Sequence, residues 1–136
     1  MRNILIDAGP LIALFDRSDQ YHLKSLAFMK DSREKFWTTW PVITEVCHML
    51  DFNVQAQLNF ITWIYRGGLK IFEINSDQIY RIIELTEKYS DVPMDLADAT
   101  LIIASEQTGV KEIASIDSDF YIYRNIRNQF LQNIFI

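Results

Sequence analysis

Residues 4–15 read Ile4-Leu5-Ile6-Asp7-Ala8-Gly9-Pro10-Leu11-Ile12-Ala13-Leu14-Phe15. Three consecutive branched aliphatic residues, without polar alternation, mark a short strand buried on both faces. Asp7 ends it, Gly9-Pro10 breaks the extended chain, and residues 11–15 supply one or two helical turns. A buried strand passing at once toward a helix is the opening of a parallel α/β unit. The same alternation continues outward. Asp19 is placed to cap a helix with Leu23, Leu26, Ala27 and Phe28 at helical spacing. Phe36-Trp37-Thr38-Thr39 is strand-like, and Pro41 suits the first turn of a third helix whose Val42, Val46 and Met49-Leu50 face the core. A fourth helix over about 54–65 stops at Gly67-Gly68, residues 70–74 form a strand, and Asn75 or Ser76 caps a helix carrying Ile79, Ile82, Ile83 and Leu85. The clearest helix follows Asp91-Val92-Pro93-Met94, runs over about 95–108 and meets Gly109. Residues 113–116 are a strand ending at Asp117. The tail closes on Phe130-Leu131 and Ile134-Phe135-Ile136, which suits a last strand or an assembly surface equally. This pattern predicts an α/β/α sandwich around a central, mainly parallel sheet.

At 136 residues, the expectation is one domain spanning 1–136. A hydrophobic fraction of 49% provides a core, and a charged fraction of 23% with few Gly and Pro excludes disorder. The single cysteine, Cys47, makes no intrachain disulfide, and no apolar run nears the roughly 20 residues of a membrane helix. With a strand entered at the N-terminus, these features predict a soluble, cytoplasmic protein without membrane association. Net charge is −5 and the pI about 4.9. That balance opposes a polyanion, so a nucleic-acid substrate requires metal ions and local basic groups to offset it.

The carboxylates fall in a pattern. Asp7 and Asp117 end strands, with Asp119 just beyond; Glu45 sits a turn into the Pro41 helix; Asp95 and Asp98 open the clearest helix, three apart on one face. Singly, each has an ordinary explanation as a cap, a turn residue or a partner of a helix dipole. Jointly they converge, because strand ends and helix starts of a parallel sheet share one rim, where ligands collect. Carboxylates gathered there repel one another unless a cation lies between them. All-oxygen donors suit Mg²⁺ or Mn²⁺; two separate histidines and one cysteine disfavour zinc and cysteine–histidine chemistry. No nucleophile elbow and no glycine-rich phosphate loop is present. Carboxylate-held divalent ions activate water and stabilise the leaving oxygen in phosphodiester hydrolysis.

Residues 3–123 resemble a PIN domain. The opening at residues 4–14 resembles that family's first acidic motif, and Thr39-Trp40-Pro41-Val42-Ile43-Thr44-Glu45-Val46 is similar to the segment bearing its glutamate. Pro93-Met94-Asp95-Leu96-Ala97-Asp98-Ala99 resembles the third acidic block, and Ser115-Ile116-Asp117-Ser118-Asp119-Phe120 the closing one. The resemblance implies an Mg²⁺- or Mn²⁺-dependent ribonuclease of the VapC toxin kind, acting on RNA and paired with an antitoxin. It implies Asp7, Glu45, Asp98 and Asp117 as catalytic metal-binding acids, Asp95 and Asp119 as auxiliary acids, and Ser115 as a hydroxyl that orients Asp117. Ala8 departs from the family, where a Thr or Ser often follows the first aspartate. It also implies an antitoxin helix seated between toxin helices, for which apolar residues of the 54–65 helix are candidates, although core packing accounts for most of them. The apolar tail fits a homodimer as well as a strand.

Other residues carry weaker signals. Arg17, Lys24, Arg33 and Lys35 form either a basic rim for an RNA backbone or a solvated helix face. His22 and His48 read as ordinary surface or partly buried histidines. Trp37, Trp40 and Trp63 suit core packing better than base stacking, and Tyr121, Tyr123, Arg124 and Arg127 are candidates for phosphate contact or a dimer surface. The rival readings are a non-catalytic PIN-like interaction module and, on a similar α/β sheet, a phosphate-handling enzyme or a receiver-like signalling domain. A receiver wants paired early acids and a late lysine, where this chain has a single Asp7 and Asp117.

Overall fold

Ile4, Leu5 and Ile6 have no exposed surface. The computed structural model, which describes residues 2–136, shows why. Their strand, β1 (Asn3–Ile6), lies at the centre of a five-stranded sheet with β2 (Lys35–Thr38), β3 (Lys70–Ile71), β4 (Glu112–Ala114) and β5 (Gln132–Asn133). The spatial order is β3-β2-β1-β4-β5 and every pairing is parallel, with Leu5 opposite Trp37 on one side and Ile113 on the other. Parallel strands require crossovers. These are supplied by α1 (Ala8–Phe15), α2 (His22–Asp31), α3 (Trp40–Met49), α4 (Val54–Tyr65), α5 (Ile79–Lys88) and α6 (Leu96–Thr108). The expected α/β/α sandwich is the observed fold. From β1 the chain builds outward through β2 and β3, then returns to place β4 and β5 on the other flank. The order therefore reverses between β1 and β4, and the crevice at their C-terminal ends is the sheet's natural ligand site.

Several local expectations are revised. Gly9-Pro10 does not interrupt the chain: α1 starts one residue after β1, with Pro10 in its first turn, where an N–H has no intrahelical partner to lose. In α2, Leu23, Leu26 and Ala27 are exposed and the buried residue is Ser25, whose small side chain sits in a helix packed on α1. Only Phe28 keeps the inward part, touching Phe36 and Phe135. Asp19 accepts from Tyr21 N at 2.8 Å, so it closes the turn before α2 rather than capping the helix. The strand at 70–74 ends after Ile71; Phe72 N still donates to Thr38 O at 2.8 Å, and the chain then leaves the sheet.

The strand read over 113–116 ends at Ala114, so Asp117 lies three residues beyond it. Val42, Val46 and Leu50 are buried on α3, although Met49 faces outward. Residues 97–105 of α6 are buried without interruption, the mark of a helix enclosed on all sides. Gly109, at φ 78°, caps it in the left-handed region. The tail forms β5, with Leu131, Asn133 and Phe135 inward at the strand period of two.

Gly9 is needed for proximity. A Cβ there would lie 2.9 Å from Ile116 Cδ1 and 3.1 Å from Ile116 Cβ, so the start of α1 presses on the segment between Ser115 and Asp117. Gly9→Ala is expected to lower stability by about 1–2 kcal/mol through overpacking, measured as a lower urea midpoint at unchanged slope.

Candidate active site

Asp7 ends β1 at the reversal point and caps α1, its Oδ1 accepting from Ala8 N at 2.8 Å. Its Oδ2 accepts from the Ser115 hydroxyl at 2.9 Å, which ties β1 to the residue following β4. Ser115 Oγ in turn accepts from Asp117 N at 2.9 Å, and Asp117 Oδ1 from Asp119 N at 2.9 Å. Asp95 caps α6 through Asp98 N at 2.8 Å. Asp98, buried in the first turn of α6, accepts from the Tyr123 hydroxyl at 2.9 Å. Glu45 lies half-buried on α3. A buried hydroxyl pair, Thr39 with Thr100 at 2.7 Å, joins the start of α3 to α6 and brings Glu45 toward the aspartates.

Several of these acids feel one another's charge. Burial, reinforced by the charges of Glu45 and Asp117, pushes the Asp7 carboxyl up to about 6, despite the hydrogen bonds from Ala8 and Ser115 that oppose the rise. Burial and the charges of Asp7, Asp95 and Asp117 push Asp98 up to about 8. Glu45 is raised by burial and by Asp95 and Asp117, and Asp119 by burial and by Asp117. Tyr123 is held well above the usual phenol range, by its own burial first and then by Asp98. Asp7, Glu45, Asp95, Asp98 and Asp117 thus lie within one another's field, and Asp119 joins it through Asp117. Among the described residues, no group of three or more His, Cys, Asp or Glu side chains has the geometry to hold a metal ion. The acids share a field, not a coordination geometry. The donors are nonetheless hard carboxylate oxygens whose mutual repulsion a divalent cation relieves, so they fit Mg²⁺ or Mn²⁺ in kind.

The Ser115 hydroxyl meets the backbone of Asp117 and donates to the carboxylate of Asp7. The residue that holds Ser115 escapes sequence reasoning. Asn133 on β5, almost fully buried, donates from Nδ2 to Ser115 O at 3.0 Å, while its Oδ1 accepts from Ser115 N at 3.3 Å and Phe135 N at 3.0 Å. Its only signal is its place midway between the apolar Leu131 and Phe135, and the neighbouring Gln132 and Gln129 dilute even that. Tyr123 is a correction: it is fully buried against Asp98, not at a phosphate or dimer surface. Arg124 caps the carbonyls of Tyr121, Ile122 and Tyr123. Lys24 and Lys35 lie toward the opposite end of the sheet, Lys24 in a recess with Arg2 and Glu34 and Lys35 opening β2, so they form no rim around the acids. His22 donates from Nδ1 to Ala13 O at 2.7 Å, while His48 lines a recess beside Glu45. Trp37 and Trp63 are partly buried as expected, but Trp40 is 51% exposed.

Two outcomes follow. A carboxyl raised in the folded state stabilises the fold below its unfolded value, and that contribution is lost as pH climbs through the folded one. For Asp98 the window runs from about 4 to about 8. In chelator, Asp98→Asn is expected to melt about 5 °C or more above the parent at pH 8 and level with it near pH 4. Asn133→Ala strips Ser115 of both backbone partners in a buried site and is expected to cost about 1–3 kcal/mol in denaturant titration.

The comparisons agree with this architecture. In the VapC20 toxin of Mycobacterium tuberculosis, a sarcin–ricin-loop-cleaving toxin, the same fold is found with a TM-score of 0.79 at 16% identity, covering 88% of this chain and 93% of that one. Curated protein sequences give no match. The family model of the PIN domain matches residues 4–125, which include all six acids and Ser115 but stop short of Asn133. The chain belongs to the PIN-domain family.

Proposed function

We propose that the protein is an endoribonuclease dependent on Mg²⁺ or Mn²⁺, with Asp7, Glu45, Asp98 and Asp117 holding the ions and Asp95 and Asp119 as auxiliary acids. The observation that supports it best is the meeting of mutually repelling carboxylates from β1, α3, α6 and the segment after β4 at the sheet's reversal point, in a PIN-family chain. Divalent ions at such a site supply charge for the scissile phosphate and activation of water. The chain's own residues supply orientation. Ser115 fixes one Asp7 oxygen and Ala8 N–H the other; Tyr123 fixes the Asp98 rotamer; Asp95 locks the first turn of α6. Such outer partners set how sharply carboxylates are aimed. On this reading water, and no side chain, is the nucleophile.

RNA as substrate and a toxin role draw support from the fold shared with a toxin that cleaves an RNA loop. For an antitoxin, α4 offers Val54, Leu58, Ile61 and Tyr65, all exposed along one stripe, whereas only Ala56 and Phe60 are fully committed to the core. Core packing therefore accounts for less of this helix than its sequence predicts. A homodimer is the other proposed partner, with Phe130 and Ile136 still exposed around β5. No helix among the described residues is long and apolar enough to cross a membrane. We place the protein in the cytoplasm on its cysteine content.

The test is cleavage of a labelled panel of structured RNAs in Mg²⁺, Mn²⁺ or EDTA, with calorimetric metal titration. Cutting is expected with either ion and not in EDTA. Asp7→Asn is expected to keep the fold and lower cleavage by more than the roughly 10- to 100-fold typical of outer-shell partners. Undiminished cutting by Asp7→Asn overturns the assigned centre; no cutting and no metal binding assigns the fold to an interaction module.

A further inference from the structure

Trp40 opens α3 directly ahead of Glu45, and its side chain is half exposed where the sequence predicts core packing. Its indole N–H donates to Glu73 Oε1 at 3.2 Å, which pins the ring to the segment beyond β3. The indole, with Pro41, Leu96 and Ala97, forms the apolar part of an open recess of about 570 Å³, within the size range of small-ligand sites. Thr44 and His48 supply polar groups to it, and Glu45 and Asp95 bring it into the acid cluster. Two of the proposed site's acids thus belong to both places.

We infer that this recess is a nucleobase subsite, in which Trp40 stacks an unpaired base of the RNA adjoining the cleaved phosphate. The inference rests on the ribonuclease reading and adds a binding residue to it. The chemistry of the walls selects the occupant. The apolar surface of Trp40, Pro41 and Leu96 offers neither donors to a phosphate nor ligands to a hydrated cation. A neutral planar group with a hydrogen-bonding edge satisfies both parts, with its face on the indole and its edge toward Thr44 and His48. Thr44 already donates its hydroxyl to Trp40 O at 3.0 Å, so its oxygen remains an acceptor for an amino group. Bases stack on aromatic side chains where the strand is single and splayed. The bond to Glu73 restrains the ring before binding, which reduces the ordering cost. The recess is also continuous with the acids that would hold the ions, so a base entering it belongs to a nucleotide near the reacting phosphate.

The experiment measures binding of a fluorescent single-stranded oligoribonucleotide in the Asp7→Asn background with Mg²⁺ present, adding Trp40→Leu or Trp40→Phe. A series of the same oligonucleotide with one abasic position at a time is run beside it. Trp40→Leu is expected to weaken binding roughly 5- to 100-fold, and Trp40→Phe to restore most of the loss. One abasic position should cost the Trp40 protein affinity and leave the Leu variant unchanged. Equal affinities of the Trp40 and Leu proteins, or no abasic position that depends on Trp40, overturn the proposal. So does a change in sedimentation with RNA binding unaltered, which assigns the recess to a second copy of the chain. Cleavage by the unmodified chain is scored separately. Cutting without Trp40-dependent binding removes the subsite and leaves the nuclease; Trp40-dependent binding without metal-dependent cutting does the reverse.

Discussion

A carboxylate at the buried centre of a parallel sheet is the constraint around which this molecule is built. Asp7 follows three residues with no solvent contact and is itself only 8% exposed, so water stabilises its charge poorly. Two hydrogen bonds, from Ala8 N–H and the Ser115 hydroxyl, oppose the effect of burial without cancelling it. Everything that delivers those two bonds is then required. α1 must begin immediately after β1, which needs Gly9 small enough to lie on Ile116. β4 must stop at Ala114 so that Ser115 leaves the ladder facing Asp7, and Asn133 on β5 must hold Ser115 by both backbone groups. The C-terminal strand, two residues long, thereby controls the geometry of the first motif in the chain.

The remaining acids increase the strain that Asp7 introduces. Asp98 is buried, feels three other carboxylates, and is joined to Tyr123, whose own proton is held more tightly by the charge beside it. A fold selected for stability alone would replace such a group by an apolar side chain, since buried charges without compensation cost more than they return. Retaining it is the ordinary sign of a site whose stability is surrendered to chemistry.

Which parts were legible in sequence follows from where the forces act. β1, α4 and α6 are local matters: an unbroken aliphatic triplet, a 54–65 helix closed by glycines, and a helix between Asp95 and Gly109 each carry their own start and stop signals. The six acids were legible because parallel topology converts strand ends and helix starts into neighbours. The outward turn of Leu23 and Leu26 was not, because helical spacing identifies a stripe without saying which stripe faces the sheet; Ser25 won on size against α1. Tyr123 and Asn133 were misread or missed for a related reason. Each makes its decisive bond to a residue 25 or 18 positions earlier, and nothing in the flanking sequence encodes such a partner. Trp40 was misassigned because a tryptophan beside a strand is ordinarily core, whereas here the Glu73 contact satisfies its N–H and leaves the ring partly uncovered.

The distribution of the basic residues bears on how an acidic protein would grip RNA. Arg2 is paired with Glu34 and Glu112, Arg81 with Glu106 and Glu84, and Arg124 with three backbone carbonyls and the Phe130 ring. Lys24, Lys70 and Lys88 lie over Phe135, Trp37 and Tyr89. None of these lines the recess beside Glu45 and Asp95. Counterion release, which dominates affinity for a polyanion when many phosphates are neutralised, has few such contacts to draw on near the acids. On the proposed reading, affinity near the cleaved bond then comes from ions at the carboxylates and from stacking, and both act on a small number of nucleotides. On that reading the protein would favour targets that already present splayed, unpaired bases beside the acids. Selectivity for an exposed loop would follow from this scarcity of charge, with no base-reading groove required.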